Sequence, residues 1–290
     1  MQNLSRAGQV LSGIIVALTV VASAGGLLIP GLYRDNAFVT ANWLGSDLVD
    51  LLVVAPLLAA ATVLAARGSI RAHLVWLGLL QTTLYNFAYY LFGAAFNWFF
   101  PVYVALFGIS IWTLVAGLIG LDVGDIRAHF GARTPTRAIG AYMLIVGLGL
   151  STVYLANWLM FVIGGQLPSI ISRTGHPTNE VFALDLSLVI PLFVVGGIWL
   201  WQRKPWGYVL AAIANVKGAV YLIGLCASTW TVYAAGTTDS PAEIVIWASI
   251  AACCLAAAGA LLASLKRDPQ PPAPGLACRS EARASTPAGR

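Results

Sequence analysis

Long stretches without charged residues are the feature that most constrains the fold. Residues 9–33, 72–121, 138–172 and 244–265 contain no Asp, Glu, Lys or Arg. Each stretch reaches or exceeds the roughly 20 apolar residues with which an α-helix crosses about 30 Å of hydrocarbon. Only 9% of the chain is charged, whereas soluble domains carry about 25%. The chain is therefore predicted to be an all-α, polytopic integral membrane protein.

Basic clusters and turn residues divide the chain into about eight predicted transmembrane helices. The first follows Arg6, and the small residues at 22–24 leave open whether it is cleaved as a signal peptide. The third and fourth spans share one uncharged stretch and are expected to reverse at 96–101, where aromatic rings flank Asn97 and Pro101. The other predicted spans cover approximately residues 9–29, 47–66, 138–163, 183–201, 206–229 and 242–265.

The positions of the basic residues predict the orientation. With eight spans, thirteen Lys and Arg residues lie on one side of the membrane, and only Arg34 and Arg173 lie on the other. Cytoplasmic loops carry such an excess of positive charge. We therefore expect a cell-membrane protein with both termini in the cytoplasm, and a tail at residues 269–290 that is disordered because it is rich in Pro, Ala, Arg and Ser.

The same distribution bears on partners. The net charge is +5, but the basic residues are scattered between spans and form no continuous stripe of the kind that binds nucleic acid. The expected partner is the lipid bilayer, together with a possible small or lipidic ligand. The sequence leaves the oligomeric state open.

Two segments in different halves of the chain resemble each other. Asp50 precedes Pro56 by six residues in DLLVVAPLL, and Asp185 precedes Pro191 by six residues in DLSLVIPLF. Further along, YLFG in the first half matches YLIG in the second. If each repeat contains an even number of spans, the two halves of the chain have the same orientation in the membrane and are parallel. The predicted halves, each of four spans, are residues 1–125 and 126–268.

Three segments also resemble a family of bacterial multi-span proteins whose activity is uncharacterised. The likeness is carried by YNFAYYLFGAAFN at 85–97, by the stretch at 184–191, and by KPWGY at 204–208. This resemblance covers most of the eight spans and implies the same architecture. It implies no activity and no functional residues.

Lys217 is the residue that most strongly indicates a functional site. It lies about halfway along the predicted seventh span, near the bilayer midplane, with no acidic residue in that span. An ionisable group at this depth costs roughly 2.5 to 3.5 kcal/mol even on mild insertion scales, and marks a functional site by default. In the repeat alignment its counterpart is Asn86. Two interpretations stay open: a structural pair with a carboxylate, or a ligand or ion site.

Four acidic residues are candidates for the same site. Asp47 and Asp50 lie three residues apart near the predicted outer end of the second span, and Asp185 takes the equivalent place in the sixth. If the halves pack face to face, these carboxylates would ring a vestibule above Lys217, with Glu180 nearby. The alternative is that acidic residues in a first helical turn cap the helix and complement its dipole.

Three classes of function remain open on these residues. The first is binding or transport of a small or lipidic ligand in an intramembrane polar cavity, with Lys217 opposing an anionic group. The second is a membrane-embedded enzyme acting on a lipophilic substrate, with Asp185 or Glu180 as general acid. The third is a non-catalytic assembly subunit in which every polar residue is structural. His and Cys spacing predicts neither a metal site nor a cofactor.

Overall fold

A computed structural model describes residues 4–266, and within this range the chain folds into helices with no β-strand. The predicted all-α class is confirmed. The tail predicted at 269–290 lies outside the described residues. The helices are α1 (Arg6–Leu28), α2 (Ala37–Val49), α3 (Ala55–Ala66), α4 (Ile70–Gly93), α5 (Phe100–Ile119), α6 (Val123–His129), α7 (Thr136–Gly164), α8 (Ser169–Thr174), α9 (Glu180–Leu184), α10 (Ile190–Trp201), α11 (Pro205–Ala234) and α12 (Glu243–Ala263).

Seven helical segments of the described chain are long and apolar enough to cross a membrane. Two of them join shorter elements into one continuous helix, Ala37–Ala66 and Glu180–Trp201. The 24-residue helix α4 is also long enough, but it is not among the seven. Most of its residues are buried, so α4 faces protein and has little need of an apolar surface for lipid. The reversal predicted at 96–101 is confirmed, since α4 ends and α5 begins around it.

Arginine side chains hold together one end of the bundle. Arg71 donates from Nε to the carbonyl oxygen of Leu262 at 2.8 Å and from Nη2 to that of Leu265 at 2.5 Å. Arg127 donates from Nε to the carbonyl of Arg203 at 2.9 Å. Carbonyls at a helix C-terminus lack intrahelical partners, so these arginines satisfy them. We call this the basic end; its connections are residues 67–69, 120–135 and 202–204.

The other end joins the beginning of α2 to the short helix α8. The Asn36 side chain donates to the carbonyl oxygens of Arg173 and Thr174, at 3.0 and 2.9 Å. The guanidinium of Arg173 lies 4.2 Å from the ring centroid of Phe38, a cation–π distance. Segments far apart in the sequence are thereby fixed to each other. We call this the loop end; its connections are residues 29–36, 94–99, 165–179 and 235–242.

Two helices contain a short π-helical segment at the same point of the Asp-to-Pro motif. Asp50 begins the first, which covers residues 50–54, and Asp185 begins the second, which covers residues 185–189. In each case a proline, Pro56 or Pro191, lies in the first turn of the following helix. Proline lacks the N–H that would continue the α-helical ladder, and a π-turn accommodates the interruption. The two motifs therefore share backbone geometry as well as sequence.

The prediction that the second span begins near Asp47 is wrong. The helix begins at Ala37, after Asn36, whose side chain accepts a backbone N–H of the first turn. Asp47 and Asp50 therefore lie in the middle of the long helix Ala37–Ala66. Asp185 comes after the first turn of the helix Glu180–Trp201. The alternative in which these carboxylates cap helix starts is thus also wrong.

Helix α11 lies at the centre of the bundle and packs against α2, α4, α10 and α12. Its contact with α2 is close, since a Cβ added at Gly45 would overlap the backbone of Ser228. The hydroxyls of Ser46 and Ser228 lie 3.1 Å apart, and Thr231 donates from Oγ1 to the carbonyl of Ala41 at 2.7 Å. Small residues and hydroxyl hydrogen bonds of this kind hold helices together within membranes.

We expect Gly45→Ala to destabilise the protein, because the added methyl group forces α2 and α11 apart. Overpacking at a tight contact costs roughly 1 to 3 kcal/mol, and thermal unfolding in detergent would show it as a lower Tm. The control is Gly149→Ala in α7, where a Cβ meets no atom within 4 Å and alanine favours the helix. Equal Tm values for the two variants would contradict this packing.

Candidate functional site

A cavity of about 400 Å³ lies among α2, α4, α7, α10, α11 and α12. Its wall continues to the loop end, where Arg173, Thr174 and Ser240 contribute to it. A volume of this size is typical of small-molecule sites. Five of the six residues singled out from the sequence line it: Lys217, Asp185, Asp50, Asn86 and Glu180.

The Lys217 side chain is buried in this wall, with 1% of its surface exposed. Its Nζ lies 3.7 Å from the ring centroid of Tyr85 and 4.0 Å from that of Tyr221. Aromatic faces attract a cation, more so when it is desolvated. Within residues 4–266, however, Nζ has no hydrogen-bond acceptor and no carboxylate within 4.0 Å. The structural pair considered for Lys217 is therefore not a direct salt bridge.

Asp185 is the carboxylate whose charge acts on Lys217, but its oxygens are already engaged. Tyr85 donates to Oδ1 at 2.8 Å, and Tyr154 donates to Oδ2 at 2.7 Å. The hydroxyls of Tyr85 and Tyr221 lie 3.4 Å apart. Lys217 thus rests on the ring faces of two tyrosines, one of which binds the nearby carboxylate through its hydroxyl. These hydrogen bonds and ring contacts fix the orientation of the Lys217 and Asp185 side chains.

Asp50 is bonded on one side only. The Asn86 side chain donates to its Oδ1 at 2.7 Å, whereas Oδ2 is buried and has no partner among the described residues. The carboxylate is 1% exposed. An unpaired buried carboxylate oxygen is costly. Asp50 therefore has an unused capacity to accept a hydrogen bond at the cavity wall.

Asp47 does not line the cavity. Its oxygens accept hydrogen bonds from the hydroxyls of Tyr33 and Tyr90, at 2.6 and 2.9 Å, and a Cβ at Gly26 would overlap the carboxylate. Tyr90 does line the cavity and so stands between it and Asp47. The predicted ring of three carboxylates is reduced to Asp50 and Asp185.

Glu180 lies where the cavity approaches the loop end. Its Oε2 is 3.1 Å from Nδ1 of His176, whose Nε2 is 3.9 Å from Oδ1 of Asp35. All three side chains are largely buried. This cluster connects the first loop of the chain with the beginning of α9. No group of three or more His, Cys, Asp or Glu side chains in the described range could hold a metal ion.

The sequence reasoning missed the tyrosines that bind Asp185. Tyr154 and Tyr85 lie among apolar and aromatic residues, and such residues are read first as packing. The available signal was the hydroxyl itself, because a tyrosine O–H inside a membrane protein needs a hydrogen-bond partner. Which acceptor it finds depends on the packing of the helices and cannot be read from one segment.

We expect Tyr154→Phe to lower the free energy of unfolding by roughly 1.5 to 3 kcal/mol, the usual range for a hydrogen bond to a charged group. Chemical denaturation in detergent would measure it. Tyr208→Phe is the matched control, since the Tyr208 ring packs 4.5 Å from that of Phe130 and its hydroxyl has no hydrogen bond within the described chain. A loss of similar size in both variants would contradict the assigned bond.

Comparisons with protein-family models, curated proteins and solved structures found no match for this chain. The resemblance to a family of bacterial multi-span proteins therefore stays a prediction. Any functional assignment rests on the geometry of the cavity.

Proposed function

We propose that the protein binds a small ligand with an anionic group and an apolar body, and that Lys217 holds the anionic group. The observation that carries this proposal is a lysine side chain, 1% exposed, that lines the cavity and whose ammonium has no acceptor among the described residues. A charge removed from water needs a partner or it destabilises the fold. A ligand anion would supply that partner.

The rest of the cavity wall suits the apolar body. Apolar side chains line it from three helices: Val146 and Leu150 of α7, Val189 and Phe193 of the continuous helix Glu180–Trp201, and Ile250 of α12. Binding sites for small molecules combine such apolar walls with a few polar groups that fix orientation. The cavity is therefore suited to an amphipathic molecule better than to an inorganic ion alone.

The proposed orientation places the cavity on the extracytoplasmic side. We propose that α4 is the eighth transmembrane helix, because an even number of spans puts thirteen basic residues on the side of the basic end. The basic end and both termini are then cytoplasmic, and the ligand exchanges through the loop end. Transport would require a second opening at the basic end.

We further propose that the chain consists of two parallel four-span halves. The shared π-helical segments at Asp50 and Asp185, each followed by proline, support this division. The repeat alignment also pairs Asn86 with Lys217, and each of these residues lies near the carboxylate of its own half. The ligand site would then lie at the contact between the halves, as in transporters built from repeats.

The ligand assignment can be tested by mass spectrometry of small molecules that co-purify with the protein. An acidic species is expected with the wild type and with Lys204→Met, a control at the basic end outside the cavity lining. In Lys217→Met it should fall about ten-fold or more, since a buried charge contact contributes several kcal/mol. Lys217→Met should still fold, because methionine removes an unpaired buried charge. An unchanged ligand profile in folded Lys217→Met would contradict the proposal.

The topology can be tested by labelling with a membrane-impermeant maleimide in intact cells. After replacement of the native cysteines, Trp98→Cys at the loop end should react from outside, whereas Ser69→Cys at the basic end should react only after permeabilisation. Trp98 is 85% exposed, so the protein itself does not cover the new thiol. Labelling of both positions from the same side would show that α4 does not cross the membrane.

A further inference from the structure

The same cavity carries information about the class of its ligand. Building on the proposed function, we infer that the ligand is a zwitterion, with an ammonium or similar cationic donor in addition to its anionic group. Lys217 receives the anionic group, and Asp50 with Asn86 receives the cationic one. This assigns a second polar subsite to the cavity.

The first support is the unused hydrogen-bonding capacity of this second subsite. Oδ2 of Asp50 is buried without a partner among the described residues. Asn86 uses its Nδ2 to donate to Oδ1 of Asp50, and within the same range its Oδ1 accepts no hydrogen bond. Both free atoms are acceptors. A group with several N–H donors, such as an ammonium, can donate to both acceptors, whereas a second anionic group would be repelled.

The second support is the charge balance of the cavity. The charged side chains that line the cavity are Asp50, Glu180, Asp185, Glu243, Arg173 and Lys217, which sum to two negative charges when all are ionised. An anionic ligand alone would raise the imbalance to three negative charges, and unpaired charge is costly in a low-dielectric region. A zwitterion leaves the sum unchanged and brings one opposite charge to each unpaired group.

The third support is that the two subsites are held by different helices and do not neutralise each other. Asp50 belongs to the π-helical segment between α2 and α3, Asn86 to α4, and Lys217 to α11. No ion pair links Asp50 to Lys217 within 4.0 Å in the described part of the chain. Opposite charges that do not pair with each other at one cavity wall can each bind one charged group of a zwitterion.

The test uses two matched sets of probes and the full-length protein in lipid nanodiscs, with binding measured by isothermal titration calorimetry. One set is phenylalanine, 3-phenylpropionate and 2-phenylethylamine; the other is leucine, 4-methylpentanoate and 3-methylbutylamine. Within each set the apolar body is kept, and the acid or the amine is removed in turn. In at least one set the zwitterion should bind about ten-fold or more tightly than both analogues, the usual effect of a hydrogen bond to a charged group.

Substitutions test whether the preference for the zwitterion over the acid comes from the second subsite. Asp50→Asn should reduce the affinity for the zwitterion to that for the acid, while acid binding persists. Asp47→Asn is the matched control, since it makes the same change one helical turn earlier at a side chain outside the cavity lining. It should retain the preference for the zwitterion.

Three results would overturn the inference. If the acid binds as tightly as the zwitterion, and Lys217→Met abolishes both, the zwitterion is wrong while the proposed function stands. If acid binding strengthens to the zwitterion's level at lower pH, a proton rather than an amine supplies the positive charge. If no probe of either set binds the wild type, the inference is wrong. The proposed function is then tested separately, by mass spectrometry of the co-purifying molecules.

Discussion

The cost of burying one cation governs the arrangement around the cavity. The Lys217 ammonium is removed from water in the centre of the bundle, and the protein offers it two tyrosine rings in place of a carboxylate contact. Cation–π attraction offsets only part of the desolvation cost. The carboxylate that acts on it, Asp185, has both oxygens engaged by tyrosine hydroxyls. A positive charge is thereby kept available at the cavity wall.

The scaffold that permits this has an apolar core, polar groups at the helix contacts around the cavity, and apolar residues on its outer faces. The helices nearest the cavity, α2, α4 and α11, present hydroxyls, amides and small residues to one another, and the close contact at Gly45 depends on the absence of a side chain. The exposed apolar residues lie on the outer faces, as in Trp112 and Ile145. Such faces suit contact with lipid, whereas the polar groups are concentrated where protein meets protein.

Hydropathy predicts helices that face lipid better than helices that face protein. The reversal near Asn97 and the burial of Lys217 followed from the sequence, because charge and turn residues are local signals. The start of α2 at Ala37 did not, since polar residues there find partners inside the protein: Thr40 donates to the carbonyl of Asp35, and the carbonyl of Asn42 accepts from Ser228 of α11. Neither the π-helical segments nor the partners of Asp185 could be predicted, because both depend on the packing of several helices.

The most direct test of the central claim is a cryo-EM structure of the purified protein in lipid, at a resolution that shows side chains. If a ligand supplies the missing charge, non-protein density will lie within hydrogen-bond distance of Nζ of Lys217, inside the cavity. A cavity without density, in which Nζ instead forms a direct salt bridge with Asp185 or Asp50, would contradict a ligand site and favour a structural role for Lys217.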